Sequence, residues 1–247
     1  MTTEERILNT VDWLKAKIVE TKSSGLLVGI SGGIDSAVVA NLIKLASPDN
    51  SLGVILPINN SSEDLNDANE LSESCGIRTL KIDLSSENKS ILDKVESEME
   101  DLFIHENRKI VDANMRARLR MTTLYSIANN LNYLVVGTDN AAELLTGYFT
   151  KYGDGGVDLL PLANLLKSEV YEWGRYFKVP ENILAKAPTA GLWEGQTDET
   201  EMGTTYHYID RYLQGEEIPA KDKEIIERLN ARSEHKRTSP PQPPVFK

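Results

Sequence analysis

The chain has 247 residues, of which 40% are apolar and 26% are charged, a balance typical of a globular protein with a sizeable core. Its formal net charge of −11 argues against nucleic acid as a partner, because nucleic-acid-binding surfaces are usually basic. The single cysteine, Cys75, excludes a disulfide framework, and no apolar run approaches the roughly 20 residues of a membrane helix. The N-terminal pattern is amphipathic and contains acidic residues, unlike a secretory signal or transit peptide, so we expect a cytoplasmic protein.

The first part of the chain alternates between helical and strand patterns. Apolar residues spaced by three and four positions predict a first helix over residues 4–22. Because the strands alternate with helices and are continuous apolar runs, we predict an α/β fold, a doubly wound parallel sheet flanked by helices on both faces. The predicted strands are residues 26–30, 52–56, 79–82 and 133–136, and the helices between and after them are residues 35–46, 63–75, 89–103, 108–130 and 139–145.

After Thr146 the pattern changes to a glycine-rich loop. Residues 187–203 have the composition of a loop, in which Trp193 either packs against the core or belongs to a lid. Together with residues 85–88, residues 191–203 are our candidates for segments that order when substrate binds. Since neither an internal repeat nor a linker is visible, we predict one domain over residues 1–247. Further helices are predicted over residues 167–177, 205–213 and 219–234, and the proline-rich tail 238–247 is predicted to be extended.

A glycine-containing turn between the first strand and the second helix predicts a phosphate site. A helix N-terminus offers unpaired N–H groups, and Gly32 and Gly33 allow a phosphate to approach the backbone closely. Asp35 would repel a bare phosphate, which indicates an intervening Mg²⁺. The alternative is a structural glycine turn with Asp35 as the helix cap. The complete segment is Gly29-Ile30-Ser31-Gly32-Gly33-Ile34-Asp35-Ser36, which is neither a Walker A nor a GxGxxG motif.

The letters SGGIDS in this turn resemble the pyrophosphate loop of the N-type ATP pyrophosphatases, which have an adenine-nucleotide α-hydrolase-like fold. These enzymes cleave ATP between its α and β phosphates and transfer AMP to an acceptor oxygen. The longer run GTDNAAELLTGYFTKYGDGGVD, residues 137–158, resembles a signature of the ammonia-dependent NAD synthetase family, as do KAPTA (186–190) and EHKR (234–237). This similarity is continuous from about Leu26 to Arg237.

The resemblance implies an ATP-dependent amidation of deamido-NAD by ammonia, the last step of NAD biosynthesis. The products would be NAD, AMP and pyrophosphate, formed through an acyl-adenylate. Only about 25 residues precede the strand of the phosphate loop, which leaves no room for a glutaminase domain, so we expect ammonia to be used directly. The family also implies a homodimer, with deamido-NAD, ATP and ammonia as the small-molecule partners.

The resemblance also implies roles for individual residues. Asp35 and Glu143 follow the ends of two predicted strands and would share the Mg²⁺. Asp35, Lys167 and Asp158 are the candidate catalytic residues, with Asp158 as the candidate base that deprotonates ammonium. The residues predicted to contact ATP are Gly29, Ile30, Ser31, Gly32, Gly33, Ile34, Asp35, Ser36, Thr138, Lys167 and Thr189. Those predicted to contact deamido-NAD are Arg118, Lys151, Asp158, His235 and Lys236.

Other interpretations remain open at the level of sequence. Glu143 by itself fits a solvated helix residue, and Lys167 fits a surface lysine. Arg116 and Arg120 share a helix face, where surface salt bridges are expected. The chain as a whole could be another N-type ATP pyrophosphatase that adenylates a different acceptor, or a non-catalytic ATP-binding module.

Overall fold

The computed structural model describes residues 1–189 and 197–246, so Trp193 lies outside the described residues. Within these ranges one parallel sheet is present, and its strands are β1 (Gly25–Gly29), β2 (Ser51–Ile55), β3 (Arg78–Lys81) and β4 (Tyr133–Val136). Their order across the sheet is β3-β2-β1-β4. The register pairs Leu27 of β1 with Leu52 of β2 on one side and with Val135 of β4 on the other.

Helices surround this sheet and continue the chain after β4. Those up to β4 are α1 (Thr3–Thr21), α2 (Ile34–Ala46), α3 (Ser62–Cys75), α4 (Ser85–Met99) and α5 (Arg108–Leu131). Those after β4 are α6 (Ala141–Thr146), α7 (Lys167–Tyr176), α8 (Glu181–Ala185), α9 (Asp198–Met202), α10 (Tyr206–Leu213) and α11 (Ala220–Arg237). The predicted doubly wound α/β class is confirmed.

Both faces of the sheet are covered, as expected when strands are apolar throughout. Side chains of successive strand residues point to opposite faces. Accordingly, Leu26 and Val28 belong to a core cluster shared with α1, α2 and α7. Leu27 belongs to a second cluster, to which α5 contributes Ala128. A third cluster contains residues of α6, α10 and α11, so these C-terminal helices pack against one another outside the sheet.

Three segments differ from the sequence prediction. Residues 85–88, a candidate ordering loop, form the first turn of α4, because Asn88 is buried there and donates a hydrogen bond to Asp112 Oδ1 at 2.7 Å. Part of the predicted loop 187–203 is helix α9, which Thr197 caps by accepting a hydrogen bond from the Thr200 N–H. The short helix α8 was not predicted, since five residues carry too little periodicity.

The strand order creates a crevice at one edge of the sheet. From β1 the chain proceeds through β2 to β3 on one side, whereas β4 lies on the other side of β1. In open α/β sheets, ligands bind outside the carboxyl ends of the strands at such a switch in strand order.

None of the helices formed by residues 1–189 and 197–246 has the length and apolar character needed to span a bilayer.

Candidate active site

A cleft of ≈ 460 Å³ opens at the carboxyl edge of the sheet, at the crevice between β1 and β4. Both predicted catalytic elements line it: the loop that follows β1 and the segment that follows β4. The sequence-predicted residues that the fold brings together in this cleft are Gly29, Ile30, Ser31, Gly32, Gly33, Ile34, Asp35, Ser36, Thr138, Glu143, Lys167, Thr189 and Lys236. All of the predicted ATP and metal residues therefore surround one space.

The loop after β1 is held by its own hydroxyl groups. The Gly33 N–H donates to Ser31 Oγ at 3.2 Å, and the Ser36 hydroxyl donates to the Gly33 carbonyl at 2.9 Å. Gly33 is the N-cap of α2, and among the described residues no side chain caps this helix. Its first N–H groups thus remain for a ligand, as an anion site requires. Asp35 lies within the first turn of α2 and does not serve as its cap.

Gly32 lets the loop pass close to α3. Its φ of +82° is in the left-handed region, and a Cβ there would lie 2.9 Å from the Asp67 Cβ. The same helix holds the segment that carries Thr189, because Lys186 Nζ forms ion pairs of 2.8 Å with both Asp64 Oδ1 and Asp67 Oδ2. One end of α3 therefore orders two parts of the predicted ATP site.

Lys167 connects the two predicted metal ligands. Its Nζ lies 2.6 Å from Asp35 Oδ2 and 3.4 Å from Glu143 Oε1, and its side chain is only 3% exposed. Burial by itself would lower the pKa of Lys167, but the charges of Asp35 and Glu143 reverse the effect and raise that pKa above its ordinary value. Lys167 is consequently a fixed positive charge in the cleft, which excludes the surface-lysine interpretation.

Glu143 lies between a positive and a negative neighbour, Lys167 and Asp35. Burial and the nearby Asp35 carboxylate raise the pKa of Glu143 to about 7, although Lys167 opposes the shift. Its side chain is 14% exposed, so the solvated interpretation is also excluded. Asn140, which the sequence prediction missed, donates from its side chain to Asp35 Oδ1 at 2.9 Å and caps α6 three residues before Glu143. The spacing of Asn140 and Glu143 is a capping-box signature that could have revealed it.

The two carboxylates fit a magnesium ion that arrives with ATP. Across residues 1–189 and 197–246 no group of three or more His, Cys, Asp or Glu side chains forms a complete metal site. Mg²⁺ commonly takes one or two carboxylates from the protein and completes its octahedron with phosphate oxygens and water. Asp35 and Glu143 are partly buried carboxylates next to the predicted phosphate loop, and they match that donor set.

Two further acidic residues line the cleft. Asp139 is 4% exposed, and its Oδ2 finds no hydrogen-bond partner in the described part of the chain. Burial, and then the charge of Asp154, raise the pKa of Asp139 well above its ordinary value. Asp154 accepts a hydrogen bond from the Thr150 N–H at 2.8 Å and lies on the solvent-exposed side of the cleft. Neither residue was selected from the sequence.

The predicted deamido-NAD residues divide into two places. Lys236 is in the cleft, where its Nζ donates to the Gly147 and Phe149 carbonyls at 2.7 and 2.6 Å. The other cations form an outer group on the surface: Arg118 Nε donates to the Lys151 carbonyl at 3.3 Å, and Lys151 Nζ donates to the His235 carbonyl.

Asp158 lies outside the residues that line the cleft. Its carboxylate accepts hydrogen bonds from the Tyr125 hydroxyl at 2.9 Å and from the Val135 N–H at 2.8 Å, which fixes the end of the glycine-rich loop against α5 and β4. Arg120, in contrast, was expected in a surface salt bridge, and that expectation is wrong. Its guanidinium is buried beside the cleft, where it donates to the Leu56 carbonyl at 3.0 Å and to Asn60 Oδ1 at 3.2 Å.

Comparisons with known proteins agree with this geometry. The family model described as NAD synthase matches residues 6–240. A protein of Alkaliphilus metalliredigens named NH(3)-dependent NAD(+) synthetase is 57% identical over 242 residues, which cover 97% of this chain and 98% of that protein. Among solved structures, an NMN synthetase from Francisella tularensis matches with a TM-score of 0.93 and 43% identity over 99% of this chain and 100% of the other. An NH3-dependent NAD synthetase from Campylobacter jejuni matches with a TM-score of 0.77 and 28% identity, with complete coverage of both chains.

Proposed function

The chain belongs to the NAD synthase family, and from that premise we propose that it amidates the nicotinate carboxylate of deamido-NAD with ammonia. As a member of this family it is an enzyme, a ligase that uses ATP as co-substrate. The observation that carries the proposal is the convergence of Asp35, Glu143 and Lys167 beside the phosphate loop, at the switch in strand order. A module that only bound ATP would have no need of this buried charged group.

The first chemical problem is the carboxylate, which is a poor electrophile because its leaving group would be oxide or hydroxide. The enzyme therefore adenylates it: a carboxylate oxygen attacks the α-phosphorus of ATP, and pyrophosphate leaves. Loop residues Gly29–Ser36 hold the pyrophosphate with backbone N–H and hydroxyl donors. Lys167 stabilises the negative charge that develops on the phosphates. Mg²⁺ held by Asp35 and Glu143 would neutralise the pyrophosphate as it leaves.

The second step forms the amide bond. Ammonia attacks the acyl carbon, AMP leaves with the electron pair of the broken acyl–oxygen bond, and the attacking nitrogen loses a proton. Asp158 already accepts hydrogen bonds from Tyr125 and Val135 and lies outside the cleft, whereas Asp154 lines the cleft and accepts one from the Thr150 N–H. We therefore assign the proton-accepting role to Asp154 and a positioning role to Asp158. No side-chain nucleophile takes part, because adenylation itself supplies the activated acyl group.

The dinucleotide would extend from the cleft over the outer group. Arg118 lies on α5 and contacts the backbone of Lys151, and the Lys151 ammonium contacts a carbonyl of α11. The side chain of Lys236, also on α11, lies in the cleft. Two cations outside the ATP cleft suit the pyrophosphate bridge of deamido-NAD. We also propose a homodimer in which α5 contributes to the interface, since Ile110 of α5 is 53% exposed. Light scattering on the purified protein measures the mass directly, and a monomer at assay concentration contradicts the dimer.

A second acceptor is supported by one observation. The NMN synthetase from Francisella tularensis matches this chain with a TM-score of 0.93 over nearly all of both chains. The same adenylation and amidation chemistry would act on the mononucleotide, nicotinate mononucleotide, whose reacting carboxylate is identical. The outer group favours the dinucleotide because a mononucleotide lacks the pyrophosphate bridge that these cations would contact.

A coupled assay separates these proposals. Purified protein is incubated with Mg-ATP, ammonium or glutamine, and either deamido-NAD or nicotinate mononucleotide, and the amide product, AMP and pyrophosphate are quantified. We expect NAD from deamido-NAD with ammonium but not with glutamine as the nitrogen source. A higher kcat/KM for the mononucleotide contradicts the proposed acceptor, and efficient turnover with glutamine alone contradicts direct use of ammonia.

The cytoplasmic location stays a prediction from sequence.

A further inference from the structure

Helix α10 contacts the catalytic group with two buried side chains. Tyr206 and Asp210 are four residues apart and therefore lie on the same face of the helix. Tyr206 is 5% exposed and Asp210 is 7% exposed. Both contact Lys167 on α7, so two side chains from one face of α10 contact the same predicted catalytic residue.

Asp210 fixes the backbone of Lys167. Its carboxylate accepts hydrogen bonds from the Lys167 N–H at 3.0 Å and from the Ser168 N–H at 2.9 Å. These N–H groups belong to the first turn of α7, where they have no partner within the helix. A carboxylate at a helix N-terminus also interacts favourably with the helix dipole. Asp210 thus determines where α7 begins, and with it the position from which the Lys167 side chain extends.

Tyr206 contacts the side chains of the same group. Its hydroxyl lies 3.2 Å from Glu143 Oε1 and 3.0 Å from Asp198 Oδ2, and it donates its one proton to either carboxylate. Its ring lies under the ammonium of Lys167, with 4.7 Å between Nζ and the ring centroid. Tyr206 therefore touches one predicted metal ligand and the catalytic lysine at once, and it connects both to α9.

We infer that Tyr206 is a positioning residue for adenylation, which orients Glu143 through its hydroxyl and Lys167 through its ring. This inference rests on the proposed function. The hydroxyl restricts the Glu143 carboxylate, whose other oxygen, Oε2, accepts from the Asn140 N–H at 3.0 Å. The ring face attracts the Lys167 ammonium, an interaction that strengthens where water is excluded. With both in place, Glu143 Oε1 and Lys167 Nζ are pre-oriented before Mg-ATP arrives.

The experiment compares three variants. Tyr206→Phe removes the hydroxyl and keeps the ring, whereas Tyr206→Leu removes both. Tyr212→Phe is the matched control, since it is on the same helix and its hydroxyl contacts only the exposed Glu227, at 3.5 Å, among the described residues. For Tyr206→Phe we expect kcat to fall about 10-fold, as for loss of a hydrogen bond to a charged group. The KM for deamido-NAD should stay within about twofold, because uniform substrate binding is unchanged.

Binding supplies a readout that is independent of turnover. Calorimetry with Mg²⁺ and α,β-methylene-ATP, which the enzyme cannot cleave, measures the affinity of the assembled site. We expect several-fold weaker binding in Tyr206→Phe, a larger loss in Tyr206→Leu, and wild-type affinity in Tyr212→Phe. The concentration of Mg²⁺ that gives half-maximal rate should rise in parallel. If Tyr206→Leu does not fold, Tyr206→Phe decides the matter.

The outcomes distinguish this inference from the proposed function. If the wild-type protein forms no amide product from either acceptor, the proposed function fails. If the wild-type protein is active and Tyr206→Phe behaves like Tyr212→Phe, the inference is overturned. It is equally overturned if Tyr206→Phe loses thermal stability and activity together while its affinity for Mg²⁺ and the ATP analogue is unchanged.

Discussion

The two walls of the cleft are built from different chemistry. The wall after β1, residues 29–36, offers mainly backbone N–H groups and the hydroxyls of Ser31 and Ser36. The wall after β4 is charged, because the fold places Asp139, Glu143 and Lys167 in the lining of the cleft. Contacts within the first wall span at most five residues of sequence, whereas the pair of Lys167 with Asp35 spans 132 residues.

The first wall is suited to binding the ligand, and the second wall is suited to the chemical step. Backbone donors in a glycine turn bind phosphate without a net charge of their own, and their geometry follows from local sequence. Asp139 and Glu143 have raised pKa values, so their ionised forms destabilise the empty protein, whereas Lys167 stays charged and can stabilise negative charge that develops on a substrate. The first wall should therefore contribute mainly to affinity for ATP, whereas the charged groups should contribute to rate, to binding that depends on Mg²⁺, and to stability.

The largest expected effect comes from removing a charge from the pair of carboxylates that contact Lys167, one from each wall. Asp35→Asn and Glu143→Gln should each lower kcat on the order of 10²–10³-fold, because an electrostatic group at the phosphates is lost. Both proteins should stay folded, since the replacements keep the shape of the side chain. Steady-state assays and circular dichroism measure the two properties.

Asp93→Asn provides the control for these variants, because the Asp93 side chain is 48% exposed on α4 and pairs only with Lys89 among the described residues. Its activity should match that of the wild-type protein. A fully active Asp35→Asn enzyme would contradict the assignment of the metal to this pair of carboxylates.

A smaller effect is expected in the first wall. Gly32→Ala places a Cβ 2.9 Å from the Asp67 Cβ and 3.1 Å from the Ala68 nitrogen, so the loop must shift. We expect the KM for ATP to rise about 10-fold, from loss of the close backbone approach. Gly76→Ala has a similar positive φ, +62°, but its Cβ meets nothing within 4 Å. That control should lose about 1 kcal/mol of stability with an unchanged KM for ATP. If the KM for ATP rises equally in both variants, the rise comes from backbone strain and not from the close approach of the loop to ATP.

The smallest expected effect concerns stability. The pKa of Asp139 is raised above its ordinary value of 3.8, so the folded protein holds this proton more tightly than the unfolded chain. Stability due to this group is therefore lost as the pH rises above 3.8 and through the folded pKa. Asp139→Asn removes this titration and should stabilise the ligand-free protein by about 1 kcal/mol at neutral pH. The gain should shrink toward pH 4 in thermal melts.

The exposed Asp49 gives the comparison for the Asp139 experiment, because Asp49→Asn changes the same functional group in a loop that faces solvent. Its melting temperature should follow the wild-type protein at every pH. A melting temperature of Asp139→Asn below that of the wild-type protein at neutral pH would mean that the carboxylate is satisfied when folded.

The amino-acid sequence by itself determined the class of the fold and the family, and it predicted the phosphate loop. Each depends on short-range pattern: apolar runs that alternate with amphipathic helices, and a glycine turn between a strand and a helix. Only the tertiary structure showed that Lys167 is buried between Asp35 and Glu143, and that Tyr206 and Asp210 support it. Burial and the proximity of distant residues set those properties, and neither is encoded in the local pattern around any one of these positions.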